Sequence, residues 1–290
     1  MVKKTGVFLS LPAPLFAQGR GYAPIPAVTH PDLGRRLCGK YELVSLAGEG
    51  GMAEVLLGVL EGSHNVTRPV VLKRILEGFR EKEAYRQMFV DEARILSSLH
   101  HPNIVSVIEL GSDGGHLFIA MEYLDGHPLS TLLATLSEAD QALEPELAAH
   151  IGAEACAALQ AAHSHQDEEG TAAPIIHRDI SPDNLFVTRD GGVKVIDFGM
   201  AKATDRRMTA RSVQTEDGQL IGTPEYMSPE QAGTNDQDLD TRTDIYSLGV
   251  VFYELLTVEL PLGRFYPPSS KVQVDVLLDA VVLRPLEKSP

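Results

Sequence analysis

The stretch that most restricts how this chain can fold is "NLFVTRDGGVKVID", from Asn184 to Asp197. Two short runs of β-favouring apolar residues, "NLFV" and "VKVI", flank "TRDGG", whose Asp and Gly suit a tight turn. A hairpin of this kind closes on its own ends, so Asn184 and Asp197 meet. Two oxygen donors held side by side, completed by triphosphate oxygens, suit Mg2+, which takes few protein ligands and keeps several waters. Just upstream, "IIHRDISPDN" carries Asp179, a carboxylate placed to orient a substrate hydroxyl and accept its proton.

The texture of the chain differs on either side of residue 41. Residues 1–40 are rich in Pro and Gly without a sustained period, and a poorly ordered extension is expected there. Lys3 and Lys4 precede "GVFLSLPAPLFA", loosely as in a signal peptide. Pro12 and Pro14 interrupt that run and no cleavage site is obvious, so a cytosolic tail is expected instead. From Tyr41, the runs "YELVSL", "EVLLGVL", "RPVVLKRI" and "GHLFIAMEY" read as strands. Between the last two, residues 81–99 show helical spacing, with Tyr85, Met88, Phe89, Leu96 and Leu99 on one face.

Farther along, residues 145–163 form an Ala-rich amphipathic pattern, and 274–286 again have helical spacing. "DIYSLGVVFYELLT" is apolar on nearly every face, which predicts a fully buried helix. "HQDEEGTAA", residues 165–173, reads as a solvated loop, with His163 and His165 at a helix end rather than in a metal site.

Three further features carry chemistry. "GEGGMAEV" sets Gly48, Gly50 and Val55 in a turn between two strands, where backbone N–H groups can approach phosphates without interference from Cβ atoms. In "VVLK", Val71 and Lys73 point to the same face of a strand, the Val suited to a base and the Lys to phosphate oxygens. Glu92 falls on the apolar stripe of its helix. An acid directed into a core needs a partner, and Lys73 is the candidate.

Taken together, "AGEGGMAEV", "VVLK", "DEARILSSLHHPNIV", "MEYLDG", "HRDISPDN", "DFG", "GTPEYMSPE" and "DIYSLGVVFYELLT" resemble, in order, the motifs of a eukaryotic-type protein kinase of the bacterial Ser/Thr type. The resemblance implies an α+β, two-lobed fold: a small β-rich N-lobe over 41–122 and a larger helical C-lobe over 123–290. It implies transfer of the γ-phosphoryl of ATP to protein Ser/Thr hydroxyls with Mg2+ (or Mn2+), autophosphorylation and self-association for it. On this reading Gly48, Gly50 and Val55, with Ala47, Glu49 and Gly51, cover the nucleotide, and Lys73 holds its phosphates and pairs with Glu92. Val71 and Phe186 sandwich the base. Met121 is the gatekeeper, and Glu122 and Leu124 offer backbone groups to adenine. Asp179 is the base, Arg178 precedes it, and Asn184 and Asp197 hold the metal. Thr209, Ser212 and Thr215 lie in the activation segment, where a phosphate would pair with Arg178; the alternative is that the three hydroxyls only line a polar flexible loop. Thr223 would contact Asp179, which favours Ser/Thr over Tyr as acceptor.

Some positions depart from the family pattern. Ser181 stands where Ser/Thr kinases carry a Lys that neutralises the transferring group, Ala53 replaces a Gly, and Val71 fills an Ala position. Few residues separate the helix ending near Thr257 from the one starting near Val274, so the second lobe is expected to be shortened there. Glu230 is expected to be buried without the Arg that normally pairs with it. The alternative function is a pseudokinase scaffold that binds ATP or partners.

Composition narrows the partners. The 25 basic and 40 acidic residues leave a net charge of −15, which excludes the positive footprint that nucleic acid needs. No run approaches the ~18 apolar residues of a spanning helix. Two cysteines, Cys38 and Cys156, are too few for a disulfide framework, and a cytoplasmic protein is expected.

Overall fold

The computed structural model describes residues 30–50, 52–139, 141–198, 224–232, 239–263 and 265–287. The chain divides into two compact units. The first takes residues up to 100 together with 105–127 and 188–191, and the second takes 101–104, 128–187 and 192 onward.

The first unit is a sheet with a helix. Its strands are β1 (Arg36–Leu37), β2 (Tyr41–Glu49), β3 (Ala53–Glu61), β4 (Thr67–Ile75), β5 (Val107–Asp113) and β6 (His116–Glu122). They form one antiparallel sheet in the order β1-β2-β3-β4-β6-β5. Cross-strand partners share a face, and the register sorts the side chains into two sets. Val55 opposes Lys73, Lys73 opposes Ile119, and Val71 opposes both Leu57 and Met121. The other face carries Leu56, Val70, Leu72, Phe118 and Ala120, which close a core with Leu37, Tyr41 and Leu43. Tyr41 meets Phe118 edge-on at 5.7 Å. Gly111 lies directly across from Phe118, and a Cβ there would sit 2.3 Å from the ring, so only glycine fits.

Helix α1 (Glu77–Arg80) is a single turn, and α2 (Glu83–Ser98) follows it. Helix α2 buries Phe89, Glu92, Ala93 and Leu96, a stripe at helical spacing. Residues 30–40, expected to belong to a poorly ordered extension, are instead ordered chain. Leu37 drops into the core and β1 pairs with β2, which gives this short segment an apolar anchor that composition does not reveal.

The second unit is mainly helical: α3 (Leu129–Glu138), α4 (Pro145–His163), the short α5 (Pro229–Ala232), α6 (Arg242–Thr257) and α7 (Val276–Leu286). Helix α4 buries Ala148, Ala155, Ala158 and Ala162, small side chains that permit close approach to α6. Helix α6 buries Leu248, Val250, Val251, Tyr253, Leu255 and Leu256 around its circumference, as its apolar sequence requires. The hairpin is present as β7 (Leu185–Thr188) and β8 (Val193–Val195). Residues 101–104 lie along it: Ile104 bridges to Val195, and Asn103 Nδ2 donates to Val193 O at 2.9 Å and to Glu154 Oε2 at 2.5 Å.

Between α6 and α7 the described residues contain only the 3-10 turn Pro268–Ser270. Asp279 of α7 accepts from Ser269 N at 2.9 Å and ties that turn to the helix.

Candidate active site

In the first unit, Lys73 projects from β4 and donates to Glu92 Oε1 at 2.6 Å. Glu92 is only 6% exposed, so this acid has the partner that its place on the apolar stripe demanded. Val55, Val71 and Met121 are buried on the same sheet face as Lys73. In the glycine-rich turn, Ala47 is buried at a β-bulge, Gly48 opposes Val55 and Glu49 opposes Glu54. Gly50 N donates to Ala53 O at 2.8 Å and closes the turn, while Gly51 lies outside the described residues. At the end of β6, Glu122 N donates to Ser106 O at 3.0 Å. Leu124 follows, half-buried.

The second unit contributes the hairpin and the loop before it. Ile196 N donates to Asn184 O at 3.0 Å, so Asp197 sits one residue past the rung that holds Asn184. Asn184 Nδ2 donates to Asp179 O at 2.7 Å and to Asp179 Oδ2 at 3.0 Å. With its nitrogen used this way, the amide presents its oxygen as the metal-seeking group. An amide oxygen and a carboxylate form a hard-oxygen donor set that fits a divalent cation completed by phosphate and water. Asp197 has φ +64° and Arg178 φ +68°, left-handed values unusual for side chains of this size. Strain of this kind persists only where surrounding bonds hold it.

Those bonds can be named. Asp244, fully buried on α6, accepts from His177 N and Arg178 N, both at 2.8 Å, and its Oδ2 lies 2.7 Å from His163 Nε2. Gln231 Nε2 donates to Arg178 O at 2.7 Å. Gln231 is itself fixed by a capping box: Ser228 N donates to Gln231 Oε1 and Gln231 N to Ser228 Oγ. The His177 ring is buried, with Nδ1 accepting from Asp179 N at 3.2 Å and Nε2 3.0 Å from Ile196 O. That pattern requires the neutral ring, and burial holds the His177 pKa below its ordinary value despite the nearby Asp244 and Asp197. The Phe198 ring packs against this ring at a 60° tilt, with centroids 4.5 Å apart.

Asp244, Gln231 and the link through His163 are absent from the sequence expectations, although two signals were present. An Asp opens a helix with no solvent-facing side, and Ser228–Pro229–Glu230–Gln231 has the capping-box spacing with Pro at the first helical position.

Other expected residues fall as follows. Phe186 is buried on β7, across from Lys194. Ser181 is 1% exposed and its hydroxyl has no hydrogen-bond partner among the described residues. Glu230 corrects an expectation: it is half-buried rather than buried, and it accepts from Thr243 Oγ1 at 3.1 Å. Its place on the short exposed α5 leaves one side in water. Thr209, Ser212, Thr215 and Thr223 lie outside the described residues. Among the described residues no helix is long and apolar enough to cross a membrane.

The protein kinase domain family matches residues 41–276. The chain belongs to the protein kinase family. Its kinase relatives include Tyrosine-protein kinase MasK of Myxococcus xanthus, 41% identical over 78% of this chain and 34% of that protein. Serine/threonine-protein kinase Pkn1 of Myxococcus xanthus is 38% identical over 92% and 38%, and PknB of Mycolicibacterium smegmatis is 37% identical over 88% and 41%. Kinase-like architecture recurs in the kinase domain of Mycobacterium tuberculosis PknI, with a TM-score of 0.62 and 25% identity over 89% of this chain and 90% of that one. This chain therefore spans between a third and about two-fifths of the length of the curated relatives it matches. Members of this family use ATP with a divalent metal ion and act on proteins.

Proposed function

We propose that this chain is an ATP-dependent Ser/Thr protein kinase that transfers the γ-phosphoryl group of Mg-ATP to protein hydroxyls. The observation that carries the proposal is the Lys73–Glu92 pair, joined at 2.6 Å with both side chains nearly withdrawn from water. A strand Lys held by a helix Glu, on a face shared with Val55 and Val71, suits an anchor for the phosphates of a nucleotide whose base lies against apolar side chains. Asp179 orients the acceptor hydroxyl and takes its proton, while Asn184 and Asp197 hold Mg2+. Catalysis is then mostly positioning and charge stabilisation. The kinase domain begins at Tyr41, with its hinge near Glu122. Phosphorylation within Thr209–Thr215, by a second copy of the chain, supplies a partner to Arg178, whose Nε is buried without one among the described residues.

The test is incubation with Mg2+ and γ-labelled ATP beside Asp179→Asn and Lys73→Met variants. Labelling of the wild type with a loss of about 10²–10⁴-fold in Asp179→Asn is expected. Equal labelling of both proteins, or none in either, overturns the proposal. Phosphoserine and phosphothreonine are expected on hydrolysis. Phosphotyrosine alone would assign the acceptor class that the name of MasK carries.

A further inference from the structure

Directly behind Lys73 lies a second ionic constellation that the proposed chemistry does not use. Arg74 and Glu54 are cross-strand partners on β4 and β3, one position along from Lys73 and Val55. Successive residues of a strand face opposite ways, so both point to the core face of the sheet. There Arg74 is 4% and Glu54 7% exposed. A guanidinium so far from water needs more than one acceptor. Arg74 Nε donates to Glu54 Oε1 at 2.7 Å, and Arg74 Nη2 donates to Asp32 Oδ2 at 2.6 Å. His30 Nε2 lies 3.0 Å from the remaining Glu54 oxygen. Burial alone would raise the Asp32 carboxyl, but the hydrogen bond and charge of Arg74 outweigh it and hold that carboxyl below its usual range.

Asp32 and His30 both precede Tyr41, where the family match begins. Their segment is laced down along its length. Gly34 N donates to Leu43 O at 2.8 Å, Leu43 N to Arg35 O at 3.0 Å, and Arg35 pairs with Asp113 at 3.0 Å. Leu37 is sunk in the core. The rung that this segment completes lies next to the bonds closing the glycine-rich turn, Gly50 N to Ala53 O and Leu76 N to Met52 O.

We infer that residues 30–37 form an ionic strap that holds the β3–β4 ladder behind the nucleotide-binding face, with Arg74 as the positioning residue through which it acts on Lys73 and the glycine-rich turn. The inference rests on the kinase reading for its effect on ATP. With the strap seated, both acceptors of Arg74 are in place and the rung is locked. With it lifted, a buried guanidinium loses one carboxylate, the ladder opens locally, and the turn above it loosens. Segments outside a catalytic fold are well suited to such control, because their release need not disturb the reacting groups.

The experiment uses the full chain carrying Asp32→Asn with His30→Ala, beside Arg36→Ala as a control that breaks only exposed pairs with Glu61 and Glu42 and leaves both acceptors of Arg74 in place. Amide hydrogen exchange of nucleotide-free protein is followed over residues 53–57 and 71–76. ATP kinetics are measured in parallel. Exchange in those segments should accelerate by about tenfold in the double variant and stay unchanged in Arg36→Ala. KM for ATP should rise about three- to tenfold while kcat stays within about twofold. Unchanged exchange overturns the strap. Faster exchange with an unchanged KM overturns the positioning role, leaving a structural segment only. If the wild type transfers no phosphate, the kinase reading fails and exchange alone still decides whether the strap holds the ladder.

Discussion

Ser181 occupies a position where the family pattern calls for a cation, yet its side chain is buried and its hydroxyl is unpaired among the described residues. A hydroxyl desolvated without a partner destabilises the folded state, so removing it relieves a cost. Ser181→Ala is expected to leave stability unchanged or raise it by about 0.5–1 kcal/mol, with phosphotransfer within about twofold of wild type. Thermal melts and initial rates check this, and a tenfold loss of rate would make Ser181 a participant in the reaction. His177 gives a pH prediction. Its folded-state pKa is depressed, so above the ordinary His range the ring is neutral folded or unfolded and stability is unaffected. As pH falls through about 6.5, the unfolded chain takes a proton that the buried ring cannot, and stability is lost. Glu254, raised by burial, acts in the opposite sense and reduces the net fall. Melting temperatures between pH 7.5 and 5.5 should therefore decline toward acid, and a rise would show that His177 does not dominate.

At the scale of elements, the helices α4 and α6 and the hairpin were legible because each carries a strong local pattern: alanine-rich amphipathicity, all-round apolarity, and a Gly turn between two apolar runs. Helix α3 has apolar residues at Leu129, Leu132, Leu133 and Leu136, but Pro128 in place of a capping side chain hides its start. Strand β5 is an edge strand, half-exposed along its length, and it shows no clean alternation. Strand β1 exists only because Leu37 finds a core. Packing between elements was not legible. Gly249 on α6 lets α7 approach so closely that an added Cβ would sit 2.8 Å from Pro285 Cβ. A proline ring cannot swing aside. Gly249→Ala is expected to destabilise the protein by about 1–3 kcal/mol through overpacking, measured by denaturant unfolding with an unchanged m-value.

For the whole molecule, a net charge of −15 sets which macromolecules it attracts. Double-stranded DNA should not be retarded by the protein at physiological salt, and a cationic acceptor peptide should lose kcat/KM as ionic strength rises. A salt-independent rate with that peptide would show that the global field plays no part in encounter. The two units divide the candidate residues: the first carries Lys73 on β4 and Glu92 on α2, and the second carries Asp179, Asn184 and Asp197. Residue identity and spacing alone determined the strands, the principal helices, the family and the candidate reacting groups, because those signals are local and chemically specific. Only the tertiary structure decided that Asp244 and Gln231 hold the strained loop, that Glu230 keeps contact with water, and that residues 30–37 lie bonded to Arg74. Each of these depends on which distant side chains share a desolvated space, and buried polar groups choose partners by proximity in the fold rather than by separation along the chain.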